Sequence, residues 1–220
     1  PEGGSIEIHG EPVVISSPAD ANCHGIAMVH QQFMLVPRFT VVENVVLGLG
    51  TPGGIFLNTS SPIQRIRHLS ETYGLKVDPL AEISKLSVGE QQRVEIIKAI
   101  YRNADILILD EPTSVLTPQE VDKLFEVLKK FTEDGHTVIF ISHKLNEVMS
   151  VSNRISVLRD GKVVSTIPTE SATRSELARL MVGRDVSLEF NGNHRASSGD
   201  PVLQIKDLWI KGSLGLDALK

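Results

Sequence analysis

The sequence predicts an α/β fold in which helices cover a parallel β-sheet. Short runs of mostly branched apolar residues at 26–29, 106–109 and 137–141 are typical of strands that are buried on both faces. An amphipathic helical pattern separates the second run from the third, and strand, helix and strand in that order predict a right-handed parallel crossover. Polar residues follow each run, at the strand ends where open α/β sheets bind their ligands.

The composition narrows the class of protein. The 220 residues carry a net charge of −5 and include 5% aromatic residues, and neither value favours an extended surface for nucleic acid. Cys23 is the single cysteine, which excludes an internal disulfide and favours a reducing compartment. We therefore expect an intracellular protein that does not bind nucleic acid.

The first ten residues are a turn followed by a strand. Residues 1–4 have turn composition, and residues 5–10 alternate between apolar and polar. A native protein seldom begins on a tight turn. We therefore expect these residues to continue a longer chain whose amino-terminal part precedes Pro1.

Residues 40–100 are predicted to be mostly helical and to be inserted between strands of the sheet. Thr40 and Glu43 have capping-box spacing and start the first helix, which runs towards Leu49. Two stretches between 51 and 62 have loop composition. Apolar residues at helical spacing then predict a helix over 63–73.

A third helix in this region is predicted to begin at Ser87. Glu90 stands three residues later, which again is capping-box spacing. Gly89 lowers helix propensity and is not needed for a cap. A helix start opened by Ser and Gly presents free N–H groups to an anion. The pattern therefore fits a simple cap or an anion site, and an approaching phosphate would account for Gly89.

The second half of the chain continues with regular elements. Thr117 and Glu120 form a further capping box, and an apolar stripe predicts a helix from there to Gly135. Residues 155–166 predict a β-hairpin around an Asp-Gly turn. Residues 173–181 predict a final capped helix.

Two carboxylates end the strand at 106–109. Asp110 is placed to hold Mg²⁺, and Glu111 is placed to orient and deprotonate a water that attacks a terminal phosphate. The alternative is that both are ordinary exposed carboxylates at a strand end. The following Pro112 and Thr113, with the helix start at Ser87, favour the catalytic interpretation.

Gln31 and His143 follow the other two predicted strands. Gln31 is suited to contact the metal or the attacking water, and a neutral His143 is suited to bond a γ-phosphate. Taken alone, a Gln at a strand end is more often an ordinary loop residue, and His143 is also compatible with a simple cap of its strand. Because the carboxyl ends of parallel strands meet at one edge, we expect both side chains to join the acidic pair.

These motifs together resemble those of ATP-binding cassette (ABC) ATPases. Residues 86–92 are similar to the signature motif of that family, and residues 106–111 are similar to its Walker B strand. Gln31 matches the Q-loop and His143 matches the switch histidine. The resemblance implies a P-loop NTPase-like parallel sheet core with a helical signature subdomain at about 40–100.

The resemblance also assigns roles to individual residues. Glu111 and His143 would act in catalysis, and Asp110 and Gln31 would bind Mg²⁺ beside ATP. The signature residues that would face the ATP of an opposing cassette are Ser87, Val88, Gly89 and Glu90. ATP would then be held between two cassettes.

Finer details resemble one subgroup, the ATPases of simple-sugar and nucleoside importers. Residues 30–37, 94–99 and 115–120 carry this likeness. Members of the subgroup have two cassettes in tandem. The subgroup implies a transmembrane permease as a direct partner, a solute-binding protein as an indirect one, and a peripheral position on the cytoplasmic face of the cell membrane.

The same likeness divides the chain into three parts. Residues 1–188 would be a first cassette without its P-loop, residues 189–200 a polar linker, and residues 201–220 the opening strand of a second cassette. No G-x-x-x-x-G-K-[ST] motif occurs in the sequence. We therefore expect the intact protein to hydrolyse ATP and residues 1–220 alone to be inactive.

Two departures from the family pattern leave other functions open. Val88 and Glu90 stand where the commonest signature has Gly and Gln, and Thr117 stands at the position of the usual D-loop Asp. Thr is a good helix N-cap, which accounts for Thr117 structurally. The alternatives to an importer ATPase are a soluble ABC-type ATPase that acts on ribosomes or DNA and a non-catalytic regulatory cassette.

Overall fold

The computed structural model describes residues 3–49, 60–183, 206, 208–211 and 217–219. The chain divides into two compact units, Pro1–Val186 and Ser187–Lys220. The predicted linker, most of the predicted opening strand at 201–220 and part of the predicted loop between 51 and 62 lie outside the described residues. No described helix has the length and apolarity needed to cross a membrane.

The first unit contains seven strands and seven α-helices within the described residues. In chain order these are β1 (Ile6–Ile8), β2 (Glu11–Val13), α1 (Pro18–Cys23), β3 (Ile26–Val29), α2 (Val41–Val46), α3 (Ser60–Tyr73), α4 (Val88–Tyr101), β4 (Ile106–Asp110), α5 (Pro118–Glu133), β5 (Thr137–Ile141), α6 (Leu145–Val151), β6 (Arg154–Arg159), β7 (Lys162–Pro168) and α7 (Arg174–Val182). The second unit contains the antiparallel pair β8 (Ile210–Lys211) and β9 (Asp217–Leu219).

The three predicted core strands form one parallel sheet in the order β3-β4-β5. On one face of this sheet, alternate side chains such as Val29, Leu107 and Leu109 are fully buried under helices α2 to α5. The α/β prediction is therefore confirmed, and the parallel connection through α5 is confirmed with it.

The prediction that these strands are buried on both faces is wrong for the other face. Met28, Ile139 and Ile141, which alternate with more buried residues along their strands, are 40–47% exposed. Val138 and Phe140 alternate with these exposed residues along β5 and pack against the core. A run of apolar residues predicts a strand but does not say how many of its faces are covered.

The helical region begins and ends largely as predicted. Helix α2 has the full Thr40–Glu43 capping box but ends at Val46 rather than continuing to Leu49. Helix α3 begins at Ser60, so the prediction of a loop through Pro62 is wrong. Proline is tolerated in a first helical turn because its missing N–H would have no partner there.

Later elements follow their local signals. In α5 the predicted apolar stripe packs inward, and Leu124, Leu128 and Phe131 are buried. The hairpin β6–β7 turns at Asp160 and Gly161, both with positive φ, as an Asp-Gly turn requires. Helix α7 packs on this hairpin through a small second core.

Two short helices were not predicted. Ser17 caps α1 by accepting the Asp20 N–H at 3.2 Å. Neither α1 nor α6 contains a fully buried residue. Helix α1 has no apolar stripe, and the stripe of α6 (Leu145, Val148 and Met149) lies in a helix of only seven residues, which is too short for a periodic pattern to indicate it.

Candidate functional site

The ends of the three sheet strands bring the predicted catalytic residues to one edge. In the strand register Val29 lies beside Leu109, and Asp110 lies beside Ile141. Gln31, Glu111 and His143 each follow their strand within two residues. These three residues and Asp110 therefore lie at the same carboxyl edge of the sheet.

Glu111 and His143 are in direct contact at this edge. Nδ1 of His143 lies 2.7 Å from Oε1 of Glu111, and the backbone N–H of His143 donates to the same oxygen at 3.2 Å. The Glu111 side chain is 17% exposed and that of His143 is 70% exposed. The Glu111 carboxylate is thus mostly buried at the sheet edge, and the His143 imidazole lies between it and the solvent.

The contact with Glu111 determines which nitrogen of the His143 imidazole carries the proton. An ionised carboxylate can only accept, so Nδ1 of His143 carries the proton that bonds Glu111. In the neutral ring Nε2 is then an acceptor. A neutral His143 in this arrangement can accept from a water, whereas donation to a phosphate oxygen requires the protonated ring.

The backbone at Glu111 is held in an unusual conformation. Its φ is +47°, in the left-handed region that non-glycine residues rarely adopt. The Glu111 N–H donates to the carbonyl of Ile141 at 3.0 Å, and the hydroxyl of Ser114 donates to the Glu111 carbonyl at 2.9 Å. Strain of this kind is typical of functional sites, where the surrounding structure maintains it.

Two carboxylate groups at the edge have oxygens without a hydrogen-bond partner among the described residues. Oε2 of Glu111 is buried without a hydrogen-bond partner, and the half-buried Asp110 side chain bonds to no described residue. No cluster of three or more His, Cys, Asp or Glu side chains suited to a metal occurs among the described residues. One or two carboxylates completed by phosphate oxygens and water are how Mg²⁺ is usually held. Asp110 therefore fits as a carboxylate ligand of a magnesium ion that arrives with a phosphate, and Oε2 of Glu111 is left as a proton acceptor.

Gln31 is less fixed than the acidic pair. Its side chain is exposed and makes no hydrogen bond to the residues that the structure describes. It shares the sheet edge with Glu111, but no hydrogen bond joins the two side chains. A ligand bridging the strand ends would be needed to connect them.

The predicted cap at the start of α4 is present in full. Both the N–H and the hydroxyl of Ser87 donate to Oε2 of Glu90 at 2.8 Å, and the Glu90 N–H donates to the Ser87 hydroxyl at 3.3 Å. These donors stabilise the ionised carboxylate and hold the pKa of Glu90 below its ordinary value of 4.5. Val88, the first residue of the helix, is 45% exposed.

Gly89 has a packing reason that the sequence did not reveal. A Cβ at this position would lie 1.8 Å from Oε1 of Glu120. Moving Glu120 away would have a cost, because its other oxygen accepts the N–H and the hydroxyl of Thr117 at 3.0 and 2.9 Å. The approach of α5 therefore gives Gly89 a role in packing that does not depend on a phosphate.

The sequence analysis also did not predict a polar cluster formed by Thr113, Lys144 and Glu147. The hydroxyl of the fully buried Thr113 donates to Glu147 at 2.5 Å, and Nζ of Lys144 donates to the Thr113 carbonyl at 3.0 Å. Lys144 and Glu147 pair at 3.1 Å. This network ties the start of α6 to the loop after Glu111. Its only sequence signal is the Lys-x-x-Glu spacing directly after His143.

The two groups of predicted residues are not bonded to each other within the described part of the chain. Ser87 and Glu90 bond to each other, and Glu111 bonds to His143. No hydrogen bond or ion pair among the described residues joins the start of α4 to this pair.

A family model described as "ABC transporter" matches residues 1–114. Among curated proteins, the nucleoside import ATP-binding protein NupA of Lactococcus lactis subsp. cremoris is 48% identical over 215 residues, which cover 98% of this chain and 42% of the relative. The guanosine import ATP-binding protein NupO of Bacillus subtilis is 43% identical over 220 residues, with coverage of 100% and 43%. The chain thus spans less than half the length of these curated relatives.

Solved structures lead to the same family. The dimeric ATP-binding cassette MJ0796, in a post-hydrolysis state bound to ADP and Pi, is 28% identical with a TM-score of 0.63, and the alignment covers 76% of this chain and 74% of that one. The family model covers more than half of the chain, since 114 of 220 residues match. The chain therefore belongs to the ABC transporter family.

Proposed function

We propose that the chain is part of an ATP-hydrolysing subunit of an importer for nucleosides or simple sugars. The observation that carries the proposal is the bonded pair Glu111–His143 beside Asp110 at one sheet edge. The relatives named as nucleoside, guanosine and ribose import ATP-binding proteins supply the solute class.

Each edge residue has a role that its surroundings support. Glu111 is the general base, because its buried Oε2 is free to take a proton from an attacking water. His143 holds and orients this carboxylate through Nδ1 and the backbone N–H. Asp110 and Gln31 are the residues that would hold Mg²⁺, which when bound would neutralise charge on the phosphates.

The residues at the start of α4 are assigned to the nucleotide of an opposing cassette. Ser87, Val88, Gly89 and Glu90 are the four positions. No hydrogen bond or ion pair between described residues joins them to the Glu111–His143 pair, which is compatible with this division. ATP binding would then close two cassettes, and hydrolysis would reopen them.

The second cassette is proposed to follow in the same polypeptide. Residues 1–188 would form the first cassette, 189–200 the linker and 201–220 the start of the second. The division between compact units at Val186 and Ser187 supports this boundary. Alignments with relatives also continue across 98% and 100% of the chain.

The partners follow from the importer assignment. We expect a transmembrane permease as the direct partner and a solute-binding protein as an indirect one. The subunit would then lie on the cytoplasmic face of the membrane, held by the permease.

The test is solute-stimulated ATP turnover by the protein that carries this chain, purified with its co-expressed permease. Vesicles containing the complex should take up tritiated guanosine or ribose when ATP is supplied, and Asp110→Asn should abolish uptake while the permease still copurifies. ATP turnover without a copurifying permease would instead support a soluble ATPase. Absence of turnover in the intact complex would contradict the proposal.

A further inference from the structure

Two side chains of helix α4 hold the backbone of Met34, three residues after Gln31 in the sequence. Oε1 of Glu95 accepts the Met34 N–H at 2.6 Å, and Nζ of Lys98 donates to the Met34 carbonyl at 3.2 Å. Both polar backbone groups of one loop residue are therefore bonded to a single turn of a helix that is 61 residues away in sequence.

The two side chains of helix α4 that contact Met34 are largely buried. The Glu95 side chain is 7% exposed and that of Lys98 is 20% exposed, and they pair at 3.4 Å. A buried carboxylate is stable only when its oxygens have partners, and hydrogen bonds to charged groups are stronger than neutral ones. Glu95 therefore depends on Met34 and Lys98 as much as Met34 depends on Glu95.

The same helix begins at Ser87, one of the residues assigned to the opposing nucleotide. Glu95 follows Ser87 by eight residues, a distance of about 12 Å along a helix axis at 1.5 Å per residue. Residues Val94, Ile96 and Ile97 fix this part of α4 in the hydrophobic core. Helix α4 is therefore a stiff connection between Ser87 and Met34.

A second helix holds the next part of the loop. The Asn44 side chain, in α2, accepts the Val36 N–H at 2.7 Å and donates to the Val36 carbonyl at 3.2 Å. The Met34 side chain itself is 64% exposed. The loop is thus fixed through its backbone at both residues, although Met34 itself is exposed.

We propose that Glu95 and Lys98 are positioning residues, which fix the segment after Gln31 to helix α4 so that Gln31 and Ser87 move together. This rests on the proposed function, because that function assigns Gln31 and Ser87 to nucleotide contacts. It also gives a physical role to the Val-Glu-Ile-Ile-Lys-Ala sequence at 94–99, which the edge residues leave unexplained.

The first test is structural and requires no nucleotide. Amide hydrogen exchange of Met34, followed by NMR in this chain, should become at least about tenfold faster in Glu95→Ala, because the acceptor of its N–H is lost. Glu95→Gln retains an acceptor oxygen and should keep most of the protection. Glu133→Ala, at an exposed helix pair, is the matched control and should change nothing at Met34. Unchanged Met34 exchange in Glu95→Ala would overturn the proposal.

The second test is kinetic, in the protein that carries this chain together with its permease. Glu95→Ala should lower kcat for ATP by roughly tenfold, because Gln31 is less well placed. KM should change by less than about twofold, and Glu95→Gln should restore most of the rate. Lys98→Met, which keeps the apolar stem and removes the donor, should lower kcat in the same direction and serves if Glu95→Ala does not fold.

The outcomes separate this inference from the function on which it rests. Wild-type protein without ATP turnover would overturn the proposed function. Faster Met34 exchange in Glu95→Ala would still show that Glu95 fixes the Met34 backbone. Normal wild-type turnover with an unchanged kcat in both Glu95→Ala and Lys98→Met would overturn the positioning role.

Discussion

Oε1 of Glu120 occupies the space in which a side chain at Gly89 would lie, 1.8 Å from the position of its Cβ. This relationship joins the first turns of helices α4 and α5. It also gives Gly89 a role in packing, in addition to any contact that it makes with a nucleotide.

We therefore expect Gly89→Ala to have opposite effects in two backgrounds. In the wild-type chain it should lower the free energy of unfolding by about 1 kcal/mol, because Glu120 must leave Thr117 and the cap of α5 is lost. In a Glu120→Ala background the same change should raise it by about 0.5 kcal/mol, the usual gain from removing a helical glycine. Urea unfolding of the four variants measures both effects. Equal effects in the two backgrounds would show that Glu120 is not the reason why residue 89 must be a glycine.

Glu147 should contribute strongly to stability. Glu147→Ala leaves the buried Thr113 hydroxyl without its acceptor and Lys144 without its ion pair. We expect a loss of about 1–3 kcal/mol in the free energy of unfolding.

The control for Glu147 is Glu133→Ala. Lys129 and Glu133 form an exposed pair at 3.9 Å, so this change should cost less than about 0.5 kcal/mol. Similar losses in the two variants would mean that the Thr113 network adds nothing beyond a surface ion pair.

Stability should fall on acidification because of three helix caps. Hydrogen bonds from Thr40, Ser87 and Thr117 hold the pKa values of Glu43, Glu90 and Glu120 below 4.5. The unfolded chain, in which these groups have ordinary pKa values, then binds more protons near pH 4 than the folded chain does.

The stabilisation is therefore fully present above about pH 4.5 and is lost as the pH falls through the lowered pKa values. Urea unfolding between pH 7 and about pH 3.5 should show this decline. The variant Glu90→Gln should decline less steeply, because one of the titrating groups is removed. Stability that rises on acidification, or identical slopes in the two proteins, would contradict this account.

Short sequence patterns were sufficient to predict the parts of the site that depend on residues close together in the sequence. The caps at Ser87 and Thr117 depend on residues three positions apart, and their spacing is visible in the sequence. The position of His143 near Glu111 followed from a general property of parallel strands, which end at one edge.

Contacts between distant segments were not visible in the sequence. Met34 and Glu95 lie 61 residues apart, and no pattern in either segment indicates the other. The approach of Glu120 to Gly89 depends in the same way on how two helices pack. Sequence reasoning therefore attributed Gly89 to a phosphate, the one explanation that needed no tertiary structure.

The most direct test of the account is Glu111→Gln in the protein that carries this chain. Gln keeps the size of the side chain and removes its ability to accept a proton. ATP binding should remain within about twofold of wild type, and ATP turnover should fall by at least about a hundredfold. The exposed Glu133→Gln is the control and should leave both unchanged. Wild-type turnover in Glu111→Gln would remove Glu111 as the general base and contradict the central claim.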